Sequence, residues 1–415
     1  MLLEYSEITG YNYHGKLTYK VKVKKMMFKR LIQLPIGKHS IFLFGPRQTG
    51  KTTLIQSILS DGSPHFSVNL LEIETYIKYS RDPALFRQEI EYWLKKHAKG
   101  VVFVDEIQKF PLLLDQIHLL IETYKGRLTF IMTGSSARKM KRAQVNLLAG
   151  RAWSFNLFPL TYPEIGDVFQ LKNVLRYGAL PIIFMMEGKD RVRTLKAYTD
   201  TYLKEEILAE TIVRNIPAFS RFLELAADQS GMSVNYNNFA RETGVASKTI
   251  REYYQVLEDT LIAFSLQPYL KSARKRVVSH PIYYLFDLGV INALCRRLEA
   301  EPVRGTNLYG RLFEHFIILE IYRLNRYSEK DWPMFYWRTS QGAEVDIVLE
   351  TRREILGVEI KSKGQIRPSD LRGLYSFLGD YKGSRGICIT TSDRPYEVNG
   401  IECLPWQEFF QKFFP

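Results

Sequence analysis

The apolar positions of the chain fall into two kinds of run. Some are short and unbroken: "IFLF" at 41–44, "VVFV" at 101–104, and the apolar stretch inside "RLTFIMTGSS" at 127–136. These read as strands, and the run at 101–104 as one buried in a parallel sheet. Others place apolar residues at helical spacing. "RVRTLKAYTDTYLKEEILAE" (191–210) and "GRLFEHFIILEIYRLNRY" (310–327) predict helices with one packed face. Between them lies "NNFARETGVASKTIREYYQVLEDTLIAFSLQPY", residues 237–269. Its first helix runs from Asn238 to Thr243 and stops at Gly244, and Ser247 caps a second. Ile250, Tyr254 and Leu257 form the inner face of that second helix; Lys248, Thr249, Arg251 and Gln255 are left outside.

Two β-rich runs follow, 261–270 and 277–287, joined by "KSARKR". Helix, glycine turn, helix and hairpin is the layout of a winged helix. Lys248, Thr249 and Arg251 are its candidate DNA contacts, with Lys271, Arg274, Lys275 and Arg276 at the hairpin tip. The bland alternative is a winged helix used for protein contacts. Further on, "FYWRTSQGAEVDIVLE" (335–350) predicts two strands around Gly342. A strand in "GVEIKSKG" (357–364), a helix in 367–381 and a strand in 385–393 complete an α-β-β-β-α-β order. In "GVEIKSKG" Val358 and Ile360 point one way, so Glu359 and Lys361 point the other.

With 415 residues the chain has room for two to four domains. We expect an extension at 1–25, a nucleotide-binding domain at 26–190, a helical and winged-helix domain at 191–300 and a last domain at 301–415. "YNYHGKLTYKVKVKK" carries five lysines and no clear packing pattern, so Met26 or Met27 is a candidate start. The alternative is a strand at Leu17–Val23 that pairs with something. The net charge of +14 favours an anionic polymer as partner, most simply DNA, double-stranded or branched. Cys295, Cys388 and Cys403 are widely separated, which argues against a disulfide scaffold or zinc site and fits a reducing, cytoplasmic setting. No apolar run nears the ~20 residues of a membrane span.

Candidate chemistry sharpens this outline. "IFLFGPRQTGKTT" is a strand, a glycine-rich loop and a helix start. Gly45, Gly50, Lys51 and Thr52 match the phosphate-loop pattern, and the whole stretch Gly45, Pro46, Arg47, Gln48, Thr49, Gly50, Lys51, Thr52 and Thr53 is the expected nucleotide cradle. Its backbone N–H groups face the phosphates at the positive end of the helix. Lys51 reaches the β- and γ-phosphates of ATP, and the Thr52 hydroxyl binds Mg²⁺. After "VVFV" stand Asp105, for the Mg²⁺ shell, and Glu106, to orient and deprotonate water. Ser135 or Thr133 closes the third strand near the γ-phosphate, and Arg151 is a candidate arginine finger toward a neighbouring subunit, which implies a homo-oligomer.

"GPRQTGKTT", "VVFVDEIQK", "IMTGSSARKM" and "LAGRAWSFNLFPLTYPEI", in this order, resemble the prokaryotic AAA-type ATPases that carry a C-terminal domain of unknown function. The resemblance implies ATP binding by Gly50, Lys51 and Thr52 and hydrolysis assisted by Asp105 and Glu106. The expected fold class is α/β: a P-loop NTPase with a parallel sheet, then the winged helix, then an α/β domain. That last domain is similar to the restriction-endonuclease-like nucleases, with archaeal Holliday-junction resolvases the nearest likeness. They share a Glu, then an Asp, then Glu-x-Lys, matched here by Glu314, Asp346, Glu359 and Lys361.

The chemistry fits that spacing. Asp346 and Glu359 on adjacent strands would converge on Mg²⁺, a hard ion with oxygen ligands, and Glu314 would complete the shell. Lys361 would position the attacking water, and Glu344 is a possible substitute acid. Two rival readings stand beside cleavage: a solvated charged strand pair, and a nuclease fold kept for binding only. A small-molecule kinase is disfavoured, since Glu106 suits water activation. The overall expectation is an ATPase that engages DNA and cuts it with Mg²⁺. The alternative is an ATP-driven regulatory switch that does not cut.

Overall fold

The computed structural model describes residues 2–11, 17–136, 148, 150–203, 215–270 and 280–415, with the backbone path alone for 2–11 and 17–27. Strands β1 (Leu2–Tyr11) and β2 (Leu17–Met27) pair antiparallel, so the lysine-rich stretch takes the strand alternative.

The next region alternates strand and helix. It runs β3 (Ser40–Phe44), α1 (Lys51–Leu59), β4 (His65–Asn69), α2 (Ile73–Arg81), α3 (Pro83–Leu94), β5 (Gly100–Asp105), α4 (Leu113–Thr123), β6 (Leu128–Gly134) and β7 (Ala152–Asn156). The five strands form one parallel sheet in the order β4-β5-β6-β3-β7. The unbroken apolar runs are explained by burial on both faces. Ile41, Leu43, Val101 and Phe103 pack on Ile55 and Leu59 of α1. Phe42, Phe44, Val102 and Val104 pack on α3 and α4 through Phe86, Ile90 and Ile117. Each such side chain contributes roughly 1.5–3 kcal/mol by leaving water. A polar residue at Val102 would therefore break the layer. The carboxyl ends of β3, β5 and β6 lie side by side and place their loops on one rim, where open α/β sheets bind ligands.

Helical turns at Tyr162–Ile165, Leu171–Tyr177, Pro181–Met185 and Gly188–Ala197 lead to α5 (Ile216–Asp228), α6 (Tyr236–Thr243) and α7 (Ser247–Asp259). Asn235 caps α6 by accepting from the N–H groups of Asn237 and Asn238, and Gly244 ends it in the left-handed region at φ 75°. Ser247 does not cap α7. It is the first helical residue, Ala246 takes the cap position, and the Ser247 hydroxyl turns instead to Asn237. Ile250, Tyr254 and Leu257 are buried as the spacing requires.

Strands β8 (Ala263–Pro268) and β9 (Ile282–Leu285) pair antiparallel. The hairpin tip, with Lys271, Arg274, Lys275 and Arg276, lies outside the described residues. After α8 (Leu288–Leu294) and α9 (Asn307–Tyr327) come β10 (Met334–Arg338), β11 (Glu344–Glu350), β12 (Ile355–Ile360), α10 (Arg372–Asp380), β13 (Arg385–Thr390), β14 (Tyr396–Val398), β15 (Ile401–Pro405) and α11 (Trp406–Phe413). The β8–β9 hairpin does not stand apart from these strands. β8 pairs parallel with β10, giving one eight-stranded sheet, β14-β15-β13-β12-β11-β10-β8-β9. A single core likewise joins Phe222, Tyr254 and Tyr284 to Phe316, Leu404 and Trp406.

Candidate functional site

The nucleotide cradle begins where β3 ends. Gly45 is required there: a Cβ would lie 2.3 Å from the Leu157 carbonyl oxygen. Gly50, at φ 90°, turns the loop into α1, a conformation few side-chain-bearing residues tolerate. Inside the loop Lys51 Nζ donates to the carbonyls of Gly45 and Pro46 at 2.7 and 3.1 Å. Thr49 Oγ1 donates to the Pro46 carbonyl at 2.9 Å, the Arg47 carbonyl accepts from Tyr198 at 3.4 Å, and Gln48 is left-handed at φ 64°. Thr53 faces an apolar hollow.

The predicted acids meet this loop. Asp105 accepts the Thr52 hydroxyl at 2.9 Å and also the hydroxyl of Thr133. The backbone N–H of Glu106 donates to Thr133 Oγ1 at 3.3 Å. Of the two candidates at the end of β6, then, Thr133 touches Asp105 directly. Ser135 is reached through Gln108, whose amide donates both to Glu106 and, at 3.3 Å, to Ser135. Glu106 itself sits at φ 60°, a strained backbone position of the kind that collects at functional sites. The Thr52 hydroxyl and Asp105 carboxylate are hard oxygen donors, which fits Mg²⁺. Among the described residues no group of three or more His, Cys, Asp or Glu gathers to hold a metal. Two protein oxygens plus substrate phosphate is the usual way Mg²⁺ is bound beside ATP.

Arg151 does not reach this rim. It precedes β7, next to Ala152, which pairs with Ser40 at the opposite, amino end of the sheet, and its guanidinium pairs with Glu122. Hydrogen bonds from Lys125 and Arg151 hold Glu122 down to about 2.

Sequence reading missed two features of the cradle. The first is a hollow of about 300 Å³ against the loop, walled by Phe28, Leu54, Leu160, Ile182 and Met185. The second is Arg30. Its buried guanidinium donates to the Thr49 carbonyl of the loop (2.8 Å), the Phe158 carbonyl (2.6 Å), Glu164 (3.0 Å) and the Tyr327 hydroxyl (3.1 Å). Burial alone would pull Arg30 down, but Tyr327 and Glu164 hold its proton more firmly than usual. Tyr327 ends α9, the helix that carries Glu314. A second tie runs from the end of β6, where Ser136 Oγ donates to the Asp259 carbonyl of α7 at 3.0 Å. Nothing in the local pattern around "FKRLIQ" signals the Arg30 contacts, because its partners lie up to 297 positions away.

In the helical region Lys248 is exposed and Thr249 half-buried on α7. Arg251 is exposed too, with its guanidinium 4.9 Å over the Tyr236 ring.

The last predicted group lies close enough for its charges to interact, but the expected three-acid shell is not formed: among the described residues no three acids gather to hold a metal. Glu314 on α9 and Asp346 on β11 line one cavity of about 320 Å³. Glu359, on β12, is 5 % exposed, and both faces of its strand are covered. Asp346 Oδ2 accepts the Ile360 N–H at 2.7 Å. Glu359 Oε1 takes the Lys361 ammonium at 2.5 Å, while its buried Oε2 finds no partner among the described residues. Burial, with added repulsion from Asp346, raises Glu359 to about 8 and Glu314 far above the carboxylate range; burial also raises Asp346. Burial pulls Lys361 down, yet Asp346, Glu359 and Glu314 together outweigh it and hold the ammonium. Glu344, the substitute acid, is tied to Arg338 at the cavity edge. The orphaned Glu359 oxygen suits a hard cation; the ammonium on its other oxygen competes with one.

Comparison with known proteins matches three stretches of the chain. Residues 37–166 match a family model described as an AAA domain. Residues 168–301 and 309–409 each match a model described as a domain of unknown function (DUF8612 and DUF4143, respectively). An uncharacterized protein of Mycobacterium tuberculosis is 28 % identical over 363 residues, covering 86 % of this chain and 78 % of the relative. One from Methanocaldococcus jannaschii is 25 % identical, covering 90 % and 84 %. One from Haemophilus influenzae is 21 % identical, covering 91 % and 95 %. The amino-terminal part thus has the sheet and the matching domain of an AAA-type ATPase, joined to a carboxyl-terminal domain of unknown function. No described helix is long and apolar enough to cross a membrane.

Proposed function

We propose that this protein is an ATP-hydrolysing switch that acts on DNA. One observation carries the reading: the Asp105 carboxylate gathers the hydroxyls of Thr52 and Thr133 at the mouth of a phosphate loop. In this reading Gly50 and its neighbours wrap the phosphates, and Lys51 leaves the loop carbonyls to meet the β- and γ-oxygens. Thr52 and Asp105 would hold Mg²⁺, which when bound neutralises phosphate charge. Glu106, steadied by Gln108, orients and deprotonates the attacking water. The hollow beside Phe28 and Met185 takes the adenine, an apolar ring of suitable size. Arg151, on the far end of the sheet, would serve a neighbouring copy.

Loss of the γ-phosphate alters the loop and the end of β6. Arg30 ties that loop to α9, and Ser136 ties β6 to α7. The helix meant for DNA and the helix bearing Glu314 therefore both feel the nucleotide. The test is phosphate release by the wild-type protein with and without duplex DNA, against Lys51→Ala. Turnover lost in the variant and raised by DNA is expected; DNA-independent turnover would remove DNA from the reading.

A second reading, Mg²⁺-dependent cleavage of DNA, is favoured by the unpartnered Glu359 oxygen beside Asp346. Asp346 and Glu359 would hold the ion, with Glu314 adding only its nearby charge, and Lys361 would steady a phosphate oxygen; the ion, when bound, would offset the phosphate charge. Nicking of plasmid or branched DNA with Mg²⁺ or Mn²⁺, lost in Asp346→Ala, would support it. Intact DNA under every condition, with ATP and without, leaves the switch alone.

A further inference from the structure

The parallel sheet has two ends, and only the carboxyl end serves the phosphate loop. At the amino end lies a second hollow, of about 680 Å³. The segments that lead into β3, β4, β5, β6 and β7 all reach it, through Lys38, Ser63, Lys99, Arg127 and Arg151, respectively. Its charge is one-sided. Among the described residues that line it, Lys38, Lys99, Lys125, Arg127 and Arg151 stand against one carboxylate, Glu122. Lys125 and Arg151 both pair with that carboxylate. Arg127 donates to the Ala98 carbonyl at 3.0 Å, a neutral partner that leaves its charge uncancelled. Lys38 and Lys99 are exposed and have no ion pair with a described residue. The hollow therefore stays positive after its ion pairs are subtracted, and a cleft of one sign concentrates ligands of the other.

An aromatic pair stands beside this charge. Trp153 on β7 stacks on His39, which lines the hollow, with ring centroids 4.1 Å apart and planes 20° from parallel. Its register partner Ile41 is fully buried, yet Trp153 is 49 % exposed. One face of the indole is thus steadied by His39 while much of the ring stays open to solvent. Cations along a groove give a phosphodiester backbone its affinity, and an open ring beside them takes a base. A duplex shows its phosphates but keeps its bases stacked inside, so it meets only the charge.

We infer that the amino end of the ATPase sheet binds an unpaired nucleic-acid strand, its phosphates in the basic hollow and one base on Trp153. The inference rests on the DNA-acting reading above and adds to it a contact separate from α7. That helix meets the sheet at the carboxyl end of β6, through Ser136 and Asp259. The hollow opens at the other end of the same strand, seven residues or roughly 20 Å away. The phosphate loop is likewise set off from it by the length of β3. Nucleotide and strand can therefore be held at once, at opposite ends of one sheet.

Fluorescence anisotropy on the full chain tests this, with a labelled oligothymidine and a duplex of equal length, metal-free so that nothing is cut. Lys38→Ala combined with Lys99→Ala is expected to weaken oligothymidine binding about tenfold. It should also flatten the log–log salt dependence by about 1.4, two phosphate contacts at ~0.7 each. Trp153→Ala is expected to cost oligothymidine at least about fivefold and duplex no more than about twofold, and Trp153→Phe, which keeps a ring, to recover most of the loss. Oligothymidine binding that is absent in the wild type, or unchanged in the lysine pair, would overturn the inference. So would a Trp153→Ala loss equal for both ligands, since the hollow would then trap any polyanion. Arg251→Glu on α7 separates the two readings, being expected to lower duplex binding and leave oligothymidine within about twofold. Duplex binding lost in Arg251→Glu beside an unaffected lysine pair removes only this inference. Oligothymidine losses as expected, beside ATP turnover that duplex DNA does not raise, remove only the earlier reading.

Discussion

Asp105 and Glu314 are both acids at ligand-sized hollows, and their surroundings are opposite. Asp105 is held by the hydroxyls of two threonines. Glu314 has no hydrogen bond from any described residue, and Asp346 and Glu359 repel its charge. The first site is satisfied as it stands and needs only to exchange one set of partners for another. The second holds desolvated like charges that a proton or a cation would relieve. Pre-satisfied sites add to stability, whereas sites built from repulsion subtract from it.

The largest effect that separates the two is on ATP turnover. Asp105→Asn should lower phosphate release at least about a hundredfold, as loss of a transition-state partner does, while Asp346→Asn stays within about threefold. Equal loss in both would mean that the two sites are one catalytic unit. Next comes the tie between them. Arg30→Ala leaves Glu164 buried without its partner and should cost about 3–5 kcal/mol in urea unfolding. A loss below about 1 kcal/mol would mean the loop and α9 are not joined through it.

A third effect is pH-dependent. Burial raises Glu320 on α9 to about 7 from 4.5, despite Arg323 at 3.2 Å. The folded chain therefore keeps a proton that the unfolded chain releases. Stability should fall as pH rises from about 4.5 to about 7 and then level off, by about 1–3 kcal/mol in all. Urea midpoints of Glu320→Gln across that window should lack the slope. The smallest effect is the most pointed: Glu314→Gln removes repulsion and should raise stability by about 1 kcal/mol, seen as a higher melting temperature. A drop would show that the carboxylate is supported after all.

The same contrast governs what was legible in the sequence. The phosphate loop is local: its glycines, Lys51 and Thr52 are contiguous, and Asp105 ends an unmistakable apolar run. The α-β-β-β-α-β order was legible for the same reason, each element having its own period. Arg30 was not, since its partners Glu164 and Tyr327 come from distant segments and no period records them. Nor was the covering of the acids by residues 230–233, which depends on β8 choosing β10 as neighbour. Register between distant strands is set by packing, not by propensity. Ser247 illustrates a smaller miss: a good capping residue one position too late finds another partner in Asn237.

The β8–β10 pairing also decides how the chain can be divided. Cutting near residue 300 would strip β10 of its neighbour, bare backbone donors and acceptors along the new margins of both fragments, and split a shared apolar interior. The β8–β9 hairpin and the acid-bearing strands thus form one structural part, which can be moved or trimmed only whole.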